Sequence, residues 1–291
     1  MTHECNTHAF QRRLNEHYTS IICEPTNFDK VPDDIDTLLE IRKMEDGWHN
    51  WELARIADRR TPDTVDAFLP WYDDLKAEHW TKVSALFDFL AKESKPRHIA
   101  YYVSLEEQVD GKFDDVIALA QLGLQGREKL TIADNYWDEM GRGALDKMHT
   151  RMFAYSGAHM QRMLRADGIE HFEIPYQALK NGNLQLMYGL RRRHVGRLLG
   201  ALGILEDTAS QRFKATVEGM ERCGFPKDVI EYHAAHVHFD SNHGEEWLEN
   251  VLLPMFGRNP RLIREVSGGM LTRLHVAVDY YDSVVSWIRA H

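Results

Sequence analysis

The chain has 291 residues, 43% hydrophobic and 27% charged, a composition that suits a globular protein able to bury a sizeable core. Lys and Arg number 35 against 45 Asp and Glu, and the formal charge of -10 repels phosphate backbones, which excludes nucleic acid as an expected partner. Mean hydropathy is -0.47, no apolar run approaches the ~20 residues of a membrane span, no basic-then-apolar leader opens the chain, and three scattered cysteines form no C-x-x-C pattern. A cytoplasmic protein without disulfides, thiolate zinc or membrane contact is therefore expected.

Helical periodicity runs through nearly the whole chain. Residues 1–28 read as an N-terminal extension and 29–291 as a single all-α domain. Asp33 to Asp58 forms one amphipathic helix. Thr61-Pro62-Asp63 is a start signal, with Thr at the cap and Pro at the first helical position, and the helix it opens runs to Glu93 with a bend at Pro70. Ser94-Lys95-Pro96 breaks it, and a further helix spans Arg97 to Leu124. The next passes through Asp134-Asn135-Tyr136-Trp137 to Gly141-Arg142-Gly143, where the glycines end it. Helix resumes over Ala144–Ala166 and over Leu184–Asp207, followed by a shorter one to Arg222. Gly224-Phe225-Pro226 is a stop and a restart, leading through a histidine-rich segment to Leu253. Asn259-Pro260 caps a last helix to Ala290. No alternating run flanked by hairpin turns is present, so β structure is expected to be minor.

Histidine occurs 16 times, and its densest stretch carries the strongest chemical signal. His236, Asp240 and His243 are spaced four and three apart, so at about 100° per residue they fall on one helix face. Two imidazoles and a carboxylate over two turns suit iron, manganese or zinc. His233 lies on the same side and competes for the role, while His238 points away. The competing reading is a polar, partly solvated face.

Further ligands would break the apolar pattern elsewhere. Glu106 falls in line with Tyr102, Val109, Phe113 and Ile117, whereas Glu107 aligns with Asp110 and Asp114 as ordinary surface. A buried carboxylate is costly unless it is paired or metal-bound. Glu206 continues the stripe of Val195, Leu198, Leu199 and Leu202, although a helix end there would let it reach water. Gly196, Gly200 and Gly203 form a small-residue row that lets another helix approach. His149 shares a face with Met152, Phe153, Ser156 and Met160. Glu139 precedes it, but the glycines blur the phase and periodicity does not choose between Asp138 and Glu139. Arg191 reads as exposed within its basic run, with a substrate carboxylate as the alternative partner. Tyr102, Tyr136, Trp137 and Tyr188 are core aromatics or pocket walls. No glutamate has histidine three residues later, which disfavours ferritin-type ligation, and no zinc-protease, phosphate-loop or nucleophile-elbow motif occurs.

Over residues 30–290 the sequence resembles the haem-oxygenase-like di-iron oxidases and oxygenases, a family of bacterial biosynthetic enzymes. The resemblance rests on His236-x3-Asp240-x2-His243, on Glu139-x9-His149, on single glutamates at Glu106 and Glu206, and on Asn135-Tyr136-Trp137-Asp138-Glu139 before Gly-x-Gly. It implies a bundle of about seven core helices without haem, and it makes Glu139 rather than Asp138 the ligand. The implied metal set is Glu106, Glu139, His149, Glu206, His236, Asp240 and His243 around two iron ions cycling between Fe(II) and Fe(III), with O2 as co-substrate and Asp240 as the mobile, catalytically active ligand. The reactions implied are N-oxygenation or oxidative C–C cleavage of a small amine- or amino-acid-derived metabolite in natural-product biosynthesis. A homodimer and an external electron donor are the expected partners beyond the substrate. The alternatives on the same bundle are a cofactor-independent or hydrolytic enzyme, like the thiaminase or quinone-biosynthesis relatives, and a haem-binding protein.

Overall fold

In a computed structural model the chain is all-α, with no strand among the described residues. The structure describes residues 3–291, except the side chains of 238–242. Twelve α-helices follow in order: α1 (His8–Ile21), α2 (Ile35–Arg55), α3 (Val65–Lys92), α4 (Pro96–Asp110), α5 (Phe113–Ala120), α6 (Gly126–Glu139), α7 (His149–Ala166), α8 (Tyr176–Leu190), α9 (Val195–Arg222), α10 (Lys227–Trp247), α11 (Leu253–Arg258) and α12 (Arg261–Ala290). The all-α bundle expected from periodicity is what forms, with short helices added around the long ones.

Helix α9 is the axis, packed against α3, α8, α10 and α12. The glycine row makes this possible. A Cβ on Gly200 would lie 2.1 Å from the Val266 carbonyl oxygen of α12, and one on Gly203 would lie 2.7 Å from the Trp247 ring. Apolar side chains form two clusters, one toward α1, α2, α5 and α8, the other toward α4, α7 and α10. Leu205 belongs to the first and Ala209 to the second, so Glu206 sits at their seam.

Several boundaries differ from the sequence expectation, each for a local reason. Helix α3 starts at Val65, because the Thr64 hydroxyl, not Thr61, accepts from the Ala67 amide and caps it. The expected Arg97–Leu124 helix is broken at Gly111-Lys112 into α4 and α5. The largest shift is the break between α8 and α9 at residues 191–194, within the helix expected over Leu184–Asp207. No Gly or Pro marks it. Three arginines are held there by other parts of the chain: Arg191 by Glu45 at 2.8 Å, Arg192 by the Leu122 carbonyl, and Arg193 by Asp46. Helix α9 itself runs unbroken through residue 207, so Glu206 is mid-helix rather than at an end.

Candidate metal centre

Side chains from four helices converge at the seam. Helix α6 ends on Glu139 because Gly141, Arg142 and Gly143 all take left-handed backbone, with φ of 59°, 48° and 88°. Gly141 has no alternative, since a Cβ there would lie 2.4 Å from the Lys147 carbonyl carbon. This tight reversal starts α7 at His149 rather than Ala144, and His149 Nδ1 reaches Glu139 Oε2 at 3.1 Å. From α10, His236 Nε2 stands 4.0 Å from Glu139 Oε1, and the His149 and His236 rings lie 4.4 Å apart. Glu139, His149 and His236, all buried, each offer a donor atom within 4.8 Å of the others.

The tautomer of His236 is set by its own helix. Its Nδ1 donates to the Tyr232 carbonyl one turn earlier, at 2.8 Å, which leaves Nε2 to face the carboxylate. Burial holds this imidazole well below its ordinary pKa, with His149 adding to the effect, so it stays neutral. Burial also raises the Glu139 carboxyl, and the contact with His149 partly offsets it. A neutral imidazole lone pair beside a carboxylate forms a donor set that fits a hard or borderline divalent cation.

Glu206 and His243 make a second group alongside. His243 Nδ1 is 3.7 Å from Glu206 Oε2, its Nε2 is 3.1 Å from Asp138 Oδ2, and Asn135 donates to Glu206 at 3.4 Å. Glu206 is only 4% exposed, so no helix end opens it to water. Asp138 and Glu139 thus both point inward from the end of α6, one to each group, which explains why periodicity leaves the choice open. Glu106 is buried on α4 but lies apart from the Glu139 group: its Oε2 accepts from Arg212 Nη1 at 3.3 Å. The side chain of Asp240, the candidate mobile ligand, lies outside the described residues, as does that of His238.

A cavity of about 20 Å³, room for one or two water-sized molecules, opens beside Glu206 and His236, walled by Phe113, Phe213, Tyr232, Arg212 and Asp110. Sequence reading missed Asp110 and Arg212. Asp110, taken for surface, is instead one turn after Glu106 on the same face, and the break at Gly111 ends the helix there. Burial, then the negative charge of Glu106, pushes its carboxyl well above the ordinary range. The aromatic guesses fare differently. Trp137 is 47% exposed and packs on Gly143, and Tyr188 sits beside His49 and His194 in another part of the fold. Arg191 pairs with Glu45, neither exposed nor near the cavity. His233 does not join the donor group: it packs against Phe153 and Phe213, and burial drives its pKa down to about 3.

The family model described as iron-containing redox enzyme matches residues 100–278, which include every one of these donors. The chain belongs to that family and has its haem-oxygenase-like all-α fold. No curated protein matches the chain. No described helix is long and apolar enough to cross a membrane.

Proposed function

We propose that this protein is a cytoplasmic, non-haem di-iron oxygenase or oxidase that acts with O2 on a small amine- or amino-acid-derived metabolite. The reaction is N-oxygenation or oxidative C–C cleavage, and the setting is natural-product biosynthesis. The observation that carries this reading is the meeting of Glu139, His149 and His236 from three helices, with His236 held neutral and its Nε2 turned toward the carboxylate.

One ion would be held by Glu139, His149 and His236, and a second by Glu206 and His243, with Glu106 and Asp240 completing the set by family resemblance. Bound iron would supply the electrons and the binding position for O2. The protein's own part is orientation and cavity shape. The Tyr232 carbonyl fixes the His236 ring. Phe113, Phe213 and Tyr232 give the cavity an aromatic wall. Asp110 lines the same space, where burial and the negative charge of Glu106 push its carboxyl above the ordinary range. A small-molecule substrate, an external electron donor and a second copy of the chain are the partners that go with this reading.

Rapid mixing of Fe(II)-loaded protein with O2 tests it. A transient visible absorption band is expected, and it should be missing in His236→Ala. A haemin titration that yields a Soret band, with no O2 reaction of the Fe(II)-loaded protein, would overturn the proposal in favour of a haem-binding protein.

A further inference from the structure

Glu106 is placed oddly for a residue expected to serve a metal. It is buried on α4, yet no oxygen of it belongs to the group formed by Glu139, His149 and His236. Among the described residues, Arg212 is the sole cation within 4.0 Å of it. Arg212 comes from α9, is itself 6% exposed, and borders the cavity that Glu206 and His236 also border. Its Cζ lies 5.5 Å from the ring centroid of Phe213, which lines the same cavity.

A guanidinium does not give up its charge under protein conditions. A carboxylate oxygen that accepts from it is turned toward it and shares its lone pairs with it. An incoming divalent cation therefore meets two obstacles at once: a ligand already engaged and a like charge beside the site. On the other hand, a Glu106 left without any cation would be a buried charge with only the Tyr280 hydroxyl beside it, which is more costly than the pair.

We infer that Arg212 is the internal counter-ion of Glu106 in the metal-free protein, and that metal loading turns Glu106 away from it, so that Arg212 sets how weakly the Glu106-dependent ion is held. Arg212 is thus a positioning residue, acting through Glu106. The inference rests on the di-metal reading above, because Glu106 must be a ligand for the exchange to matter. The exchange is one of partners only: the Nη1–Oε2 hydrogen bond is given up, a carboxylate–metal bond forms, and no electron moves.

Mn(II), which binds similar donors without reacting with O2, is the probe. Free Mn(II) is counted by electron paramagnetic resonance during titration of the wild type, Arg212→Gln, Glu106→Gln and the double variant. Arg212→Gln is expected to tighten the weaker Mn(II) site about tenfold, the size of one charge-assisted hydrogen bond removed from competition. In the Glu106→Gln background the same substitution should yield no gain, which a merely structural role of Arg212 would not produce. Equal or weaker Mn(II) binding in Arg212→Gln, or a gain that persists without Glu106, overturns the inference. Should Arg212→Gln fail to fold, a crystal structure of Mn(II)-loaded wild type decides. Glu106 turned away from Arg212 supports the exchange, and a retained contact near 3.3 Å refutes it. Wild type that binds no Mn(II) would sink the di-metal reading itself, an outcome distinct from two metal sites that ignore Arg212.

Discussion

Two buried polar regions of this molecule treat their acids in opposite ways. In the first, between α2, α8 and α12, each carboxylate meets a cation of the chain. Lys180 Nζ, fully buried, lies 2.5 Å from Glu52 Oε1 and donates to Asn6 at 3.0 Å. Arg55 holds Asp279 through two bonds of 2.6 and 2.8 Å and reaches Glu52 at 3.0 Å. In the second, around the end of α6, five acids gather: Glu106, Asp110, Asp138, Glu139 and Glu206. Arg212 pairs with the first, and Arg142, 56% exposed at the rim, pairs with Asp138 at 2.5 Å. Glu139 and Glu206 meet imidazoles and Asn135, but no lysine or arginine within ion-pair distance among the described residues. A buried acid needs a counter-charge. The first region carries its own and is a fastening; the second, on the reading proposed here, waits for metal.

The contrast breaks most readily on metal binding. Removing a donor by His236→Ala or Glu139→Ala should weaken metal affinity about 100-fold or more, beyond what loss of an outer-shell partner costs, whereas Lys180→Met should leave it unchanged. Titration with a divalent cation reads both. A donor variant that binds like wild type would erase the distinction.

Stability should move in opposite directions. Lys180→Met strands Glu52 in the interior and is expected to cost about 3–5 kcal/mol in urea unfolding. Glu139→Gln removes a carboxyl that burial penalises, and should stabilise the metal-free protein by up to ~1 kcal/mol, the scale of an ordinary single-site effect. The sign has a pH signature. An acid whose pKa is raised on folding contributes stability at low pH that is lost as pH climbs from its unfolded value, about 4.3 for Glu, through the folded one. The Glu139→Gln gain should therefore grow from pH 4 toward neutrality. A gain that shrinks with pH would contradict the assignment.

A last contrast, with no expected effect on metal affinity, separates neighbouring histidines. His233, fully buried and pushed down to about 3, stays neutral in the folded protein. Its contribution is present above the unfolded value of about 6.5 and is lost as pH falls toward 3. His233→Phe should flatten that acid decline by ~1.4 kcal/mol per pH unit, one proton's worth, and leave metal affinity as in wild type. A loss of metal affinity would place His233 among the donors.

Much of this arrangement was legible in the chain because it is local. The glycines at 141 and 143, the Gly224-Phe225-Pro226 stop and the Pro96 start punctuate helices through backbone chemistry that any sequence displays. Glu206 and His149 stand out because helical period alone turns them toward apolar neighbours. The rest depends on distant partners. The break before α9 has no Gly or Pro; Glu45 and Asp46, some 145 residues away in sequence, bind Arg191 and Arg193 there. Asp110 is about 40° around the helix from Glu106, closer than the 60° that links it to Glu107, yet its alignment with Glu107 three residues before and Asp114 four residues after concealed the inward side. Arg212 gains its meaning only from Glu106, 106 residues earlier.

Anaerobic equilibrium dialysis against Fe(II), with elemental analysis of the retained protein, addresses the central claim most directly. Two irons per chain in wild type, falling in Glu139→Ala and in Glu206→Ala, is the predicted result. A wild-type chain that retains no iron, or whose iron content is indifferent to both substitutions, would contradict it.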